Sequence, residues 1–421
     1  MEIRLELIVV VLCASAASLV TCSSAGFRME LRHVDGKGSY TAAERVQRAM
    51  ARSRQRLASF ADVSAPVHWN TSQYIAEYLI GNPPQPAEAV IDTGSDLIWT
   101  QCSTCSLCVK QGLPYYNASK SDSFYPVPCN DTLCLANTAH SCRWDGSCAF
   151  GAFYGAGNAR GSIGTEVFAF QNGSTRLTFG CVDSLMITPG SLDGASGLIG
   201  LVHSPLSLVS QVGATKFSYC HTPYLRSNAT TGARSHLFVG ASASLSGGSP
   251  VMSMSFVEGP KKYPFYYIPL VGLKKKIPLV GISVGHTRLS IPPTVFALKQ
   301  NCTGGVIIDS GTPTTALTDG AYGPLTKELR RQLNGSLVPP PIGSGMDLCV
   351  AVAQEKTVPS MVFHFSGGAD MVLPPENYWV PLDNSTSCMS IIGNFQLQNM
   401  HLLYDLAKDE LSFQTADCSS L

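Results

Sequence analysis

Apolar residues in this chain fall in short runs. From Tyr78 onward these runs alternate with clusters of Gly, Pro, Asn and Ser, which predicts strands joined by turns. Helical spacing is rare. Leu325, Leu329 and Leu333 recur every fourth residue and Asn334-Gly335 follows them, so a helix is expected over Ala321–Leu333. Thr41-Ala-Ala-Glu44 is a capping box opening an Ala- and Arg-rich helix toward Leu57. The longest apolar run, Leu7–Val20, has only Ser15 and Ser18 as polar members, lies after Arg4 and precedes Ser23, Ser24 and Ala25. It is too short to span a bilayer and reads as a signal peptide over residues 1–25. Ile268-Pro-Leu-Val-Gly272 recurs as Ile277-Pro-Leu-Val-Gly281, a tandem duplication too local for a solenoid.

Composition sharpens this reading. With 38 Gly, 26 Pro and only 14% charged residues, the chain is expected to be all-β. Its 421 residues exceed what one hydrophobic core serves, so two lobes are expected, 66–235 and 236–421. Basic and acidic residues balance at 29 each, which leaves no footprint for nucleic acid. The balance is uneven locally. Gly26–Val63 carries eight Lys/Arg against four Asp/Glu, whereas the remainder after residue 63 carries 20 against 23. A basic propeptide over 26–65, attracted to an acidic cleft and inhibiting it, is the functional reading; a solvated basic helix is the plainer one.

Sequons begin at Asn70, Asn117, Asn130, Asn172, Asn228, Asn301, Asn334 and Asn384, as suits surface glycosylation of an exported chain. Fifteen cysteines fit the same route. Cys13 and Cys22 leave with the leader; the remaining thirteen are an odd number, and one thiol lacks an intramolecular partner. Cys102-x-x-Cys105-x-x-Cys108 has a zinc-like spacing, but export favours disulfides and no metal is expected. The mature protein is expected outside the cytosol, in the apoplast with the vacuole as the other destination, as a monomer without stable membrane insertion.

Two segments share one plan: Ala89-Val90-Ile91-Asp92-Thr93-Gly94-Ser95 and Val306-Ile307-Ile308-Asp309-Ser310-Gly311-Thr312. Each is an apolar strand ending in an aspartate, a small hydroxyl residue and a glycine that permits a tight bend. The hydroxyls can donate hydrogen bonds that fix the carboxylates. Leu198-Ile199-Gly200 follows the first and Ile391-Ile392-Gly393 the second. Such a repeat suggests one carboxylate from each lobe in a shared cleft.

With these four pieces in order, the chain resembles the pepsin-like aspartic proteases, most closely the atypical plant branch typified by nepenthesin. Further marks are Arg32-His33-Val34-Asp35, Trp99-Thr-Gln-Cys102, Leu206-Ser-Leu-Val-Ser-Gln211, Lys216-Phe-Ser-Tyr-Cys220 and Ile392-Gly-Asn-Phe-Gln-Leu-Gln-Asn-Met400. The resemblance implies a bilobal fold with a cleft between the lobes, a cysteine-rich insert over 102–148, and a dyad of Asp92 and Asp309 hydrolysing protein or peptide substrates at acidic pH without cofactor. Thr93, Gly94, Ser95, Ser310, Gly311 and Thr312 would support the dyad; Tyr154 and Gly155 would form the flap, with Trp99 steadying Tyr154; and Cys349 would pair with Cys388. In such dyads two nearby carboxyls hold one proton between them.

The chain also departs from the family pattern. Ala156 stands where an Asp is usual after the flap Tyr-Gly, Pro313 replaces a hydroxyl residue, and Cys302 has no family counterpart. Cys388 lies roughly ten residues closer to Ile391 than in relatives, so strain in the C-terminal lobe is expected. An inert binding protein on the same fold, like plant inhibitors of secreted glycan hydrolases, is the competing reading. Such proteins usually lose an Asp or its Gly, and here both sets are complete.

Overall fold

The computed structural model describes residues 26–421 except 46, 49–72, 172, 189, 224–233, 260–264, 269–280, 299–304, 313–316, 342–345, 383–385 and 390–392. Among these the regular secondary structure is mostly strand, as the pattern predicts. A 15-stranded sheet runs through the molecule, and two four-stranded sheets complete the C-terminal half. Among the described residues no helix is long and apolar enough to cross a membrane.

The strand Phe27–His33 is the main surprise. Phe27, Met29, Leu31 and His33 alternate inward along it and are buried, the period-two pattern of a half-buried strand. It is hydrogen-bonded on both sides, to Ser235–Val239 and to Tyr74–Ile80. Residues expected to cover a cleft are thus partly woven into the sheet that joins the two halves. Ion pairs reinforce the weave. Arg32 reaches Glu88 at 3.0 Å and Glu77 at 2.9 Å, Arg234 reaches Glu30 at 2.8 Å, and Arg28 donates to the carbonyl of Leu421 at 3.1 Å.

The capping box and the C-terminal helix are both present, while residues 49–57 of the helix expected toward Leu57 lie outside the described residues. Glu44 N donates to Thr41 Oγ1 at 3.2 Å and Thr41 N to Glu44 Oε2 at 2.7 Å, the reciprocal pair of a capping box. From the turn that follows, Arg48 extends to Asp35 at 2.8 Å and pairs with Asp193. The C-terminal helix spans Asp319–Gln332 and buries Ala321, Leu325 and Leu329. It begins before the expected Ala321 because Thr318, in an extended conformation, takes the cap position and Asp319 joins the first turn.

Every cysteine from 102 to 148 is in a disulfide: Cys102–Cys181, Cys105–Cys108, Cys129–Cys142 and Cys134–Cys148. Cys220–Cys418 ties the last residues to the central sheet. Buried Glu166 fastens the insert to the strand Gly157–Phe170 by accepting from Tyr116 at 2.5 Å, Ser121 at 2.7 Å and Ser123. Burial opposes its charge, but these hydroxyls and the Val167 N–H outweigh it and hold the carboxyl below its ordinary range. Cys349 is disulfide-bonded, and Cys388 is its register partner across paired strands. Cys302 and most of the duplicated segment lie outside the described residues.

Candidate active site

Asp92 ends the strand Gln85–Asp92, which runs between Tyr74–Ile80 and the parallel strand Gly197–Gly200. Gly200 lies opposite Asp92, and a Cβ there would stand 2.5 Å from the Asp96 carbonyl carbon and 2.6 Å from the Ser95 oxygen. Only glycine lets this strand pass so close, which gives the Leu198-Ile199-Gly200 motif its physical reason. Leu201 N then donates to the Asp92 carbonyl at 2.9 Å and Val202 N to that of Ser95 at 3.1 Å.

The two aspartates carry the same set of donors. Gly94 N bonds Asp92 Oδ1 at 2.9 Å and Ser95 Oγ bonds Oδ2 at 2.8 Å. Gly311 N bonds Asp309 Oδ1 at 2.9 Å and Thr312 Oγ1 bonds Oδ2. Between them the loops interlock: Thr93 N donates to Ser310 Oγ at 3.1 Å and Ser310 N to Thr93 Oγ1 at 2.8 Å. Each hydroxyl donates in turn beneath the opposite strand, Thr93 to Ile308 O at 3.5 Å and Ser310 to Ile91 O at 3.2 Å. Residues 217 apart in sequence are thereby locked in a near-twofold arrangement. All six support residues named from sequence take part, and both carboxylates are largely buried.

Cys148–Tyr154 and Gly157–Phe170 form a hairpin whose turn is Gly155 and Ala156. Trp99 Nε1 donates to Tyr154 Oη at 2.7 Å, so the tryptophan does steady the hairpin tyrosine. Ala156 presents no carboxylate, but its carbonyl accepts from Thr188 N at 2.8 Å and Thr188 Oγ1 at 3.3 Å, which ties down the turn by the backbone.

Several contacts were not read from sequence. Gln73 Nε2 donates to the Gly311 carbonyl at 3.0 Å, and Asn394 donates from Nδ2 to Ser310 O and from its backbone N to Thr312 O, both at 3.0 Å. Asn394 follows Gly393 of the second apolar-apolar-Gly element, so a signal for it was present. None marked Gln73. The strain expected after Cys388 falls on residues 390–392, which lie outside the described residues; on either side Met389 N pairs with Leu348 O at 2.8 Å and Asn394 reaches the Asp309 loop. Burial raises the carboxyl of Asp96 above its ordinary value; its own and the Leu97 N–H groups oppose this, and the Asp92 carboxylate adds to it.

Family models described as xylanase inhibitor N-terminal and C-terminal match residues 74–241 and 276–415. The chain is 38% identical to aspartic proteinase nepenthesin-1 of Nepenthes gracilis, covering 94% of this chain and 91% of that protein. Nepenthesin-2 of the same plant is 33% identical over the same shares. The chain belongs to the pepsin-like aspartic proteases, in their nepenthesin-like branch. The crystal structure of edgp agrees in fold, with a TM-score of 0.64 at 15% identity, covering 83% of this chain and 93% of that one. As an aspartic-type endopeptidase, the protein acts on peptide bonds. Of its sequons, Asn130 and Asn334 are exposed and Asn117 is half-buried; Asn70, Asn172, Asn228, Asn301 and Asn384 lie outside the described residues.

Proposed function

We propose that Asp92 and Asp309 are the catalytic dyad of an exported, acid-active endopeptidase made as a zymogen. The observation that carries this reading is the duplicated donor set joined by the Thr93–Ser310 interlock. One aspartate, ionised, takes a proton from a bound water as the other, protonated, gives its proton to the peptide carbonyl oxygen; water oxygen adds to the carbonyl carbon and a tetrahedral diol forms. Its collapse breaks the C–N bond, with a proton delivered to the departing amine. Gly94, Ser95, Gly311 and Thr312 orient the carboxylates, and Tyr154, held by Trp99, closes over the substrate.

Residues 26–65 would act as the inhibitory propeptide after removal of residues 1–25. The pair of Arg48 with Asp193 supports that role, since it joins this basic segment to an acidic residue beyond it. The mature enzyme would work as a monomer in the apoplast or vacuole on protein or peptide substrates. Hydrolysis of a denatured protein after acid treatment, abolished by pepstatin, tests the reading. Absence of pepstatin-sensitive cleavage at any acid pH would overturn it. The description of the matching family models favours a second reading, binding and inhibition of a xylanase. Undiminished xylanase activity at a molar excess of this protein excludes it.

A further inference from the structure

Trp144 is 98% exposed, whereas Trp99 and Trp379 are buried. Its turn is not loose. The disulfides Cys129–Cys142 and Cys134–Cys148 bracket it. Arg143 N donates to Ser147 O at 2.9 Å, Gly146 N to Arg143 O at 3.0 Å, and Asp145 Oδ1 accepts from Ser147 N and Oγ at 2.9 and 2.6 Å. The indole is therefore a preorganised apolar face, whose burial would gain free energy at little ordering cost. Arg143, the cation of this turn, is already paired with Asp183, which argues against an anionic ligand.

A candidate attachment point for an occupant lies on the same knuckle. Cys129 N donates to Gly146 O at 2.9 Å, Pro128 bridges Ser147, and the next residue, exposed Asn130, opens the sequon Asn130-Asp131-Thr132. With the Cys129 and Cys142 Cα atoms 5.3 Å apart, the Cα atoms of Asn130 and Trp144 are separated by at most roughly 17 Å. An asparagine side chain and one pyranose ring can bridge much of that span.

We propose that Asn130 carries an N-linked glycan whose first N-acetylglucosamine packs its C–H face on the Trp144 indole. In the attachment step the Asn130 amide nitrogen bonds to C1 of a lipid-linked oligosaccharide donor, the C1–O bond to pyrophosphate breaks, and the amide loses one proton. Pyranose C–H groups and an aromatic face are matched apolar surfaces. The inference rests on the export reading. The sugar would shield the disulfide-rich insert at its exposed tryptophan.

The full chain is expressed in a secreting eukaryotic host under its own leader and, separately, under a heterologous one, and glycopeptides are mapped. Failure of export under its own leader alone contradicts the export reading and leaves the heterologous arm to test Asn130. Sugar at Asn334 with Asn130 bare overturns the proposal, as does a chain without sugar in the heterologous arm. With Asn130 occupied, covering one of two ring faces should lower acrylamide quenching of Trp144 roughly twofold, measured against Trp144→Leu. Enzymatic deglycosylation and Asn130→Gln should both restore the quenching. The N-acetyl methyl proton should show an upfield ring-current shift that Trp144→Leu abolishes. Unchanged quenching on deglycosylation, or no such shift, overturns the stack.

Discussion

The Asp92 and Asp309 turns have the same chemistry and different supports. Around Asp92 the anchors are backbone groups of its own half, the Leu201 and Val202 amides and the close pass of Gly200. Around Asp309 the anchors among the described residues include side chains from afar, Gln73 on the Gly311 carbonyl and Asn394 on that of Ser310, beside one backbone group, Asn394 N on Thr312 O. Behind the second turn lies an aromatic cluster. Tyr219 Oη is 3.0 Å from Tyr404 Oη, Tyr266 donates to Leu201 O at 2.7 Å, and His221 is stacked between Tyr74 and Tyr219 at 3.8 and 4.6 Å. Burial, with the Asp309 charge as a further contribution, raises both Tyr219 and Tyr404 above the ordinary phenol range. The comparison teaches that the two turns share the donor set of their last few residues, while distant side chains help to hold the second one.

The difference can be broken from the N-terminal side by Gly200→Ala. Its Cβ meets main chain of Ser95 and Asp96, which cannot swing away as a side chain could. A loss of more than about 4 kcal/mol in stability is expected, with activity falling in step. Calorimetry and a peptidase assay check this; a fully active, equally stable variant would refute the tight-pass account.

His221 sharpens the other side. Both its ring nitrogens are buried without hydrogen-bond partners, and burial pushes its pKa down to about 3. The unfolded chain, with an ordinary histidine, takes up a proton below about pH 6.5 that the folded chain refuses until about pH 3. Stability contributed by the neutral ring is thus lost as pH falls through that window, by up to roughly 1.4 kcal/mol per pH unit. His221→Leu is expected to flatten the decline of melting temperature between pH 6 and pH 4; parallel pH profiles of variant and wild type would remove His221 from the account.

Thr93→Val and Ser310→Ala remove equivalent halves of the interlock. Each is expected to cost about 1–3 kcal/mol, since it leaves a buried N–H unpaired, and the double variant should cost less than the sum because the groups share one network. Full additivity in denaturant melts would mean the loops are not coupled. The smallest effect is expected from Gln73→Leu, about 0.5–1.5 kcal/mol, with a change in kcat larger than in KM because the Asp309 turn loosens. An unchanged kcat would show that Asn394 suffices.

Much of this was legible in the sequence because it is local or repeated. Paired Asp-(Thr/Ser)-Gly turns announce themselves, as do the Thr41 capping box and the every-fourth leucines of Asp319–Gln332. Long-range partners left weaker traces. Phe27–His33 alternates like any strand, but nothing in it names Ser235–Val239 as its neighbour, so a segment read as a covering propeptide was not expected inside the sheet. Cysteine spacing likewise hid the bond from Cys102 to Cys181, 79 residues away. Gln73 was invisible because one glutamine before a strand carries no pattern; only the fold brings it to Gly311.

The central claim is that the two turns form one catalytic device. Its most direct test is the rate of denatured-protein cleavage at acid pH by wild type, Asp92→Asn, Asp309→Asn and the double variant. The account predicts that each single variant loses about 10²–10⁴-fold, the scale of acid–base catalysis by a positioned group, and that the double variant falls no further. Substantial cleavage by either single variant, or losses that multiply in the double, would contradict it.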